Sequence, residues 1–144
     1  MNSLTVVDLA PNYFDEILSI KSQFISKLTK DDLIKMIDDK LHNIFVLLEN
    51  QRFIGYIECL TIVPEAEIYS IAVRQEQRHK GYATFLLNWF KTYMKDLGCI
   101  TIYLEVNKIN SSAIALYKRN GFVEYGERKN YYGENDAILM KCDL

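Results

Sequence analysis

The chain has 144 residues, 17 Lys and Arg against 19 Asp and Glu, and 49% hydrophobic residues, which is the composition of an ordinary globular protein. Such a chain is neither disordered nor fibrous, and its length predicts one domain over residues 1–144. The net charge of −2 argues against a protein that coats nucleic acid or an anionic membrane, so we expect neither as a partner.

The three cysteines, Cys59, Cys99 and Cys142, are scattered in apolar stretches and predict neither a disulfide framework nor a metal site. None has a basic neighbour in sequence that would make its thiol a nucleophile. The first ten residues lack the pattern of an export signal, and no apolar run approaches the roughly 18 residues that a membrane helix needs. We therefore expect a cytoplasmic protein.

The N-terminal third predicts a short strand and two helices. Residues 5–7 are typical of a strand, and Pro11 opens a stretch with apolar residues at helical spacing. Thr29 is a potential N-cap for the second helix. The apolar face of that helix is predicted to contain Leu33, Ile34, Ile37 and Leu41.

The middle of the chain predicts three strands. Residues 44–48 and 53–63 are rich in β-branched and aromatic side chains, and the polar residues 49–52 between them indicate a hairpin. Pro64 ends the second of these strands. A third strand is predicted over residues 67–73.

A long helix is predicted over residues 82–97, and Gly98 is its natural stop. Its apolar stripe is predicted to contain Leu86, Phe90, Tyr93 and Leu97. The next strand, residues 100–106, is almost continuously apolar, as parallel strands buried on both faces are. Strand, helix and strand within about 40 residues predict a βαβ unit with two parallel strands.

The C-terminal part predicts one more helix and two closing strands. The helix begins after Asn110 and ends at residues 120–121, and the strands cover residues 122–130 and 137–142, joined around Gly133. The inward residues of this helix are predicted to be Ala113, Leu116 and Tyr117. Together the elements predict an α/β fold with a mixed sheet, antiparallel in its N-terminal half, parallel at the βαβ unit and closed by antiparallel strands.

The turn before the long helix has the features of an anion site. It consists of Arg78, His79, Lys80, Gly81, Tyr82 and Ala83. A strand that turns through glycine into a helix leaves the first backbone N–H groups unpaired at the positive end of the helix dipole. The small residues let a pyrophosphate approach the backbone, and the basic ones add charge. The same turn also has a purely structural interpretation, with His79 facing solvent, because it is neither a P-loop nor a dinucleotide motif.

A carboxylate and a phenol form a second candidate site. Glu105 lies at the end of the strand 100–106, and Tyr117 lies on the following helix. They can supply a base and an acid that face one cleft. Each also has a structural interpretation, because a glutamate at a strand end is usually solvated and an inward tyrosine is usually part of the core.

In this order, the segments from residue 67 to the C-terminus resemble the GCN5-related N-acetyltransferase (GNAT) family. The resemblance implies a GNAT fold with a splayed pair of parallel strands, acetyl-CoA as the cosubstrate, and no metal. The positions that contact acetyl-CoA in that family are a splayed strand, a glycine turn and an asparagine at a helix start. They match Ile71, Ala72, Val73, Arg78, Gly81, Ala83 and Asn110 here.

A narrower resemblance is to the RimI-like branch of this family, which acetylates the N-terminal alanine of ribosomal protein S18. It implies Glu105 as the base and Tyr117 as the acid, and it places Tyr131 and Tyr132 in the wall that binds the acceptor. Glu67 is a second candidate for the base, because other members place their base on that strand. The turn over residues 132–136 is shorter than the branch pattern and lacks its usual proline, and the two tyrosines can equally be edge packing.

The resemblance implies direct acetyl transfer from acetyl-CoA to the N-terminus of a protein, by a monomer or a weak homodimer. Two alternatives stay open. The first is a GNAT enzyme for a small amine, to which the short turn could open the site. The second is an acetyl-CoA-binding module without turnover, against which the presence of both Glu105 and Tyr117 argues.

Overall fold

The computed structural model describes residues 3–21 and 28–144, and within these ranges it contains seven strands and four α-helices. The strands are β1 (Leu4–Asp8), β2 (His42–Glu49), β3 (Arg52–Ile62), β4 (Glu65–Val73), β5 (Thr101–Asn107), β6 (Val123–Tyr132) and β7 (Asn135–Asp143). The helices are α1 (Phe14–Lys21), α2 (Lys30–Ile37), α3 (Tyr82–Asp96) and α4 (Ser111–Arg119).

The strands form one sheet in the order β1-β2-β3-β4-β5-β7-β6. β1 to β4 are antiparallel neighbours. β4 and β5 are parallel and are connected through α3. β7 lies antiparallel between β5 and β6. The predicted mixed sheet, with its parallel pair at the central βαβ unit, is therefore confirmed.

The two parallel strands lie side by side only at their beginnings. Their paired residues run from Glu65 opposite Thr101 to Ile68 opposite Leu104. Beyond this point β4 continues to Val73 and pairs only with β3 on its other side. The sheet is therefore split between β4 and β5.

A β-bulge lies at the point where the split begins. On β3, Glu58 pairs with Ser70, and the next residue, Cys59, pairs with Ile68. Tyr69 is thus an extra residue on β4. Such a bulge bends and twists its strand, which contributes to the divergence of β4 from β5.

Two hydrophobic cores lie on opposite faces of the sheet. Buried residues of α3 and α4 pack with residues of β2, β3, β4, β5 and β7 on the first face. Buried residues of α1 and α2 pack with residues of β2, β3 and β4 on the second face. That second core contains no residue of β5, β6 or β7. Among the described residues, no helix is long and apolar enough to cross a membrane.

The predicted apolar face of α2 is correct for Leu33 and wrong for the other three residues. The helix buries Leu33 and Met36, whereas Ile34 and Ile37 are largely exposed. Leu41 lies beyond the end of the helix and is also exposed. The helix is only two turns long, so its buried stripe reduces to one pair of residues at spacing i, i+3.

The predicted stripe of α3 is correct in part. Leu86 and Phe90 are fully buried, but Tyr93 and Leu97 are exposed. Leu87 and Met94 complete the buried face instead. Gly98, with φ of +101°, follows the helix as predicted.

Two helix starts and one buried tyrosine also follow the predictions. Thr29 caps α2: its hydroxyl accepts a hydrogen bond from the Asp32 backbone N–H, and the Asp32 carboxylate accepts one from the Thr29 backbone N–H. The Asn110 side chain caps α4 by accepting from the backbone N–H of Ala113. In α4, Tyr117 is buried in the first core.

Candidate active site

An open cleft of about 1360 Å³ lies where β4 and β5 diverge. The end of β4 that has no partner in β5, the end of β5, and the helices α2 and α4 contribute to its walls. The cleft joins segments that lie far apart in sequence, and it contains many of the residues predicted for the site.

The end of β4 forms one side of this cleft. Ile71, Ala72 and Val73 all line it, on the stretch of β4 that has no partner in β5. The Arg78 side chain returns to this strand, where its Nε donates to the Val73 carbonyl oxygen at 3.1 Å. The predicted cofactor strand and the predicted basic turn are thus held together.

The turn before α3 has the predicted backbone geometry. Gly81 adopts φ of +86°, a left-handed conformation that favours glycine, and it is the residue from which the helix begins. A side chain at Gly81 would point into open space. Ala83 lines the cleft. The helix has 15 residues, so its first backbone N–H groups form a positive end beside Arg78.

Three side chains of this turn face away from the cleft. His79 is exposed, as predicted, and has φ of +63°. Lys80 donates from Nζ to the side chain of Gln77 at 3.3 Å. The hydroxyl of Tyr82 donates to Glu49 at 2.6 Å, and this hydrogen bond raises the pKa of Tyr82. These three residues can therefore contact an anion mainly through the backbone.

Asn110 stands at the opposite wall of the cleft. Its Oδ1 accepts the backbone N–H of Ala113 at 3.2 Å, which fixes the side chain at the start of α4. The residue also lines the cleft. Its amide group is therefore held in place at the point predicted for a contact with the cofactor.

Glu105 lies on the second face of the sheet. Leu104 and Val106 on either side of it are buried in the first core, so the alternation of the strand turns Glu105 the opposite way. Its side chain is 18% exposed and lines the cleft. Oε1 accepts a hydrogen bond from Arg128 Nε at 3.1 Å. The predicted base is thus one half of an ion pair.

Glu67 occupies the same face on the neighbouring strand. Burial raises the pKa of its carboxyl group, the negative charge of Glu105 raises it further, and the positive charge of Arg128 lowers it. Two carboxylates and one guanidinium therefore share this part of the site.

Tyr117 approaches the cleft from the first face. The residue is 6% exposed, and its ring packs on Phe122 with 5.5 Å between the ring centroids. It nevertheless lines the cleft. Burial raises the pKa of its hydroxyl group well above the usual range. The hydroxyl is therefore protonated at neutral pH and can donate a proton.

Tyr131 and Tyr132 lie at the end of β6, and both are exposed. Their rings meet edge to face with 5.0 Å between centroids. Tyr132 lines the cleft. Tyr131 donates a hydrogen bond to Glu105, which raises the pKa of the Tyr131 hydroxyl, and the Arg128 guanidinium lies 5.5 Å from the centre of its ring. Through this hydrogen bond of Tyr131, the two tyrosines are linked to Glu105, the predicted base.

A polar cluster in the cleft was not predicted from the sequence. His42, Glu58, Tyr69 and Ser70 line the cleft on the side of α2. A single signal pointed to it: Glu58 is the one charged residue inside the otherwise apolar and uncharged stretch 53–63. The partners of Glu58 come from β2 and β4, and only the strand register brings them together.

The three cysteines are free and buried. Burial raises the pKa of the Cys59 thiol to about 12 and also raises the pKa of the other two. Their thiols are therefore protonated at neutral pH, which is unfavourable for a nucleophile. Among the described residues, no group of three or more histidine, cysteine, aspartate or glutamate side chains could hold a metal ion.

Residues 9–122 match the model of the acetyltransferase (GNAT) family. A similar protein is the [ribosomal protein bS18]-alanine N-acetyltransferase of Haemophilus influenzae. It is 36% identical over 103 residues, which cover 68% of this chain and 70% of that protein.

Solved structures of two enzymes with different acceptors resemble this protein over nearly its whole length. The ribosomal-protein-S18-alanine N-acetyltransferase from Escherichia coli superposes with a TM-score of 0.85 at 25% identity, over 99% of this chain and 94% of that chain. The spermidine N-acetyltransferase from Vibrio cholerae, in complex with CoA and spermine, superposes with a TM-score of 0.85 at 27% identity, over 97% of this chain and 95% of that chain.

Proposed function

Because the chain belongs to the acetyltransferase (GNAT) family, we propose that it transfers the acetyl group of acetyl-CoA to the N-terminal α-amino group of a protein. The similar bS18-alanine N-acetyltransferases make an N-terminal alanine the first acceptor to consider. One observation carries the proposal. The gap between β4 and β5 opens towards Glu105 from one face of the sheet and towards Tyr117 from the other.

The cofactor binds between the unpaired end of β4 and the start of α3. The backbone of Ile71, Ala72 and Val73 hydrogen-bonds the pantetheine arm and the thioester. The pyrophosphate lies at the turn that ends with Gly81, where the helix dipole and Arg78 favour negative charge. The open space beside Gly81 supports this placement. GNAT acetyltransferases use acetyl-CoA, so the family supports it as well.

The reaction needs one base and one acid. The acceptor ammonium loses a proton to Glu105, for which Glu67 is the alternative. The neutral amine nitrogen then forms a bond to the thioester carbon, and a backbone N–H near Val73 stabilises the oxyanion. When the carbon–sulfur bond breaks, Tyr117 gives its proton to the leaving thiolate. The attacking nitrogen loses its second proton as the amide forms, and that proton restores the Tyr117 hydroxyl. The raised pKa of Tyr117, caused by burial, keeps that proton available.

Proton loss is easier for an N-terminus than for a lysine. An α-amino group has a pKa of about 7.7–8.0, so roughly a tenth to a sixth of it is neutral at pH 7. A lysine with a pKa of about 10.4 is neutral about 0.04% of the time, which corresponds to about 3–4 kcal/mol more. One carboxylate beside the thioester is therefore sufficient for an α-amino acceptor.

A small polyamine is the second candidate acceptor. The neighbouring spermidine N-acetyltransferase shares the fold over nearly the whole chain. The carboxylates of Glu67 and Glu105 would attract a polyamine as well as a peptide N-terminus. The openness of the cleft around Tyr131 and Tyr132 favours the peptide, because a small amine needs a closed pocket.

The test is release of free thiol from acetyl-CoA. A short peptide that begins Ala-Arg is compared with the same peptide acetylated at its N-terminus and with a panel of small amines that includes spermidine. Turnover of the free peptide alone supports the proposal. Turnover of amines alone assigns the protein to the small-molecule enzymes, and binding of acetyl-CoA without turnover of any amine identifies a non-catalytic module.

A further inference from the structure

The buried carboxylate of Glu58 contacts two side chains, those of His42 and Ser70, on the side of the cleft near α2. Glu58 is 6% exposed. Its Oε2 lies 2.9 Å from His42 Nε2, and its Oε1 accepts a hydrogen bond from the Ser70 hydroxyl at 3.1 Å. The three residues come from three adjacent strands, β2, β3 and β4.

This arrangement orients the imidazole of His42. A carboxylate can only accept a hydrogen bond, so the proton on the ring must be on Nε2. The other ring nitrogen, Nδ1, then carries a lone pair whenever the imidazole is neutral. The His42 side chain is 27% exposed and lines the cleft, so its ring can contact a ligand there.

Tyr69, the bulge residue of β4, extends this wall. Its ring packs against His42 edge to face with 5.2 Å between centroids. Its hydroxyl is close enough to Glu67, Glu58 and Tyr131 for their charges to raise its pKa, in addition to the larger effect of burial. Within the polar cluster, Tyr69 is therefore the residue that contacts His42 and also lies near Glu67 and Tyr131.

The cluster lies where an acceptor chain must pass. Ser70, which is bonded to Glu58, immediately precedes the cofactor strand Ile71 to Val73. Glu58, Glu67 and Glu105 all lie between residues that are buried in the first core, so all three face the second side of the sheet. An amine that reaches the thioester from this side has His42 and Tyr69, which both line the cleft, beside it.

We propose, on the basis of the proposed function, that His42 binds the acceptor peptide. Its Nδ1 accepts a hydrogen bond from a backbone N–H that follows the reacting amine, at the second or third residue of the peptide. Glu58 is a positioning residue, because it holds the ring in the orientation that presents Nδ1. Any peptide N-terminus that has no proline at this position offers such a donor.

The experiment combines a protein variant with modified peptides. His42→Gln places an amide N–H close to the position of Nε2, which keeps a donor for Glu58, and it removes Nδ1. The peptides begin Ala-Arg and are either unmodified or N-methylated at the second or at the third backbone nitrogen. Steady-state kinetics at saturating acetyl-CoA give kcat and the peptide KM for each pair.

We expect the protein variant and the peptide N-methylation to have effects on the peptide KM that do not add up, because both remove the same hydrogen bond. For the wild-type protein, one of the two N-methylations raises the peptide KM roughly 3- to 10-fold, the size of one hydrogen bond. His42→Gln raises the KM of the unmodified peptide by a similar factor, and the same N-methylation then adds less than two-fold. The kcat and the KM for acetyl-CoA change less than two-fold.

Glu58→Gln is the second variant, with Glu124→Gln on the exposed part of β6 as its matched control. Glu58→Gln keeps the shape of the side chain and is expected to raise the peptide KM, whereas the control leaves it unchanged. The proposal is overturned if neither N-methylation raises the KM, if the two losses multiply, or if the acetyl-CoA KM rises in parallel. A wild-type protein that acetylates amines but no peptide overturns the proposed function together with this inference.

Discussion

Nε of Arg128 on β6 lies 3.1 Å from Oε1 of Glu105 on β5. The two strands are not neighbours, because β7 lies between them. The guanidinium therefore reaches across one strand to hold the carboxylate that we propose as the base. The same guanidinium lowers the pKa of Glu67, against the larger effects of burial and of Glu105. The two carboxylates thus have different surroundings and can be distinguished by mutation.

Glu105→Gln is expected to lower kcat/KM for the peptide at least about 100-fold, because it removes the proton acceptor while keeping the size of the side chain. Glu67→Gln is expected to lower it less than about ten-fold. The kcat/KM for the peptide is measured for both variants by steady-state kinetics, and each variant is the control for the other. If Glu67→Gln has the larger effect, the role of base passes to Glu67.

Tyr117→Phe is expected to lower kcat about 100-fold or more and to leave the KM for acetyl-CoA within about two-fold. Phenylalanine keeps the ring that packs on Phe122 and removes only the hydroxyl. Thiol release and the thermal midpoint are measured on the same preparation. An unchanged kcat in a folded variant would remove Tyr117 as the acid.

The pH profile follows from the raised pKa of Tyr117. An acid with a pKa above its usual value of about 10 stays protonated throughout the range from pH 6 to 10. The rate with an α-amino acceptor should therefore rise to a plateau as the amine loses its proton near pH 7.7–8.0. We expect kcat/KM to remain level up to about pH 10. A fall between pH 8 and 9 would contradict the assignment of this acid.

Gly81→Asp is expected to weaken acetyl-CoA binding strongly. The side chain would enter the open space beside the turn with a negative charge where the pyrophosphate is proposed to lie. Gly81→Asn is the matched control, since asparagine has a similar size, no charge and tolerance for positive φ. Isothermal titration should give the Gly81→Asp variant an affinity for acetyl-CoA at least about ten-fold below that of the Gly81→Asn variant. Equal affinities in folded variants would place the pyrophosphate elsewhere.

Gly55→Ala is expected to destabilise the protein by about 1–3 kcal/mol, the usual range for an overpacked site. A Cβ atom at Gly55 on β3 would collide with the carbonyl oxygen of Ala72 on β4, which is backbone and cannot rotate away. Gly126→Ala is the control, because its Cβ would meet only the tip of the Leu139 side chain. Denaturant unfolding measures both. A stability equal to that of the control would contradict the close approach of the two strands.

The main predictions that followed from local signals agree with the structure. Thr29 and Asn110 are caps because a side-chain oxygen can accept a backbone N–H only two or three residues away. Gly81 and Gly98 are at positive φ where the sequence predicted a turn and a helix end. Such features depend on a few consecutive residues, so a single sequence is sufficient to predict them.

The predicted faces of α2 and α3 were less accurate because burial depends on what lies opposite. Ile34 and Ile37 have the hydrophobicity of core residues, but the sheet meets α2 only at Leu33 and Met36. Tyr93 packs on Phe45 and Trp89 while remaining exposed on one edge. Periodicity predicts an apolar stripe, and the neighbouring elements decide how much of it is covered.

The order of strands and helices, the parallel pair around α3 and the glycine turn can all be predicted from the sequence. Glu105 and Tyr117 were also candidates, because of their positions on consecutive elements. In contrast, the contact of Arg128 with Glu105 and the contacts of Glu58 with His42 and Ser70 are visible only in the folded protein. These contacts depend on the register of the strands. These pairs lie on different strands, and one bulge, at Tyr69, changes which side chains share a face.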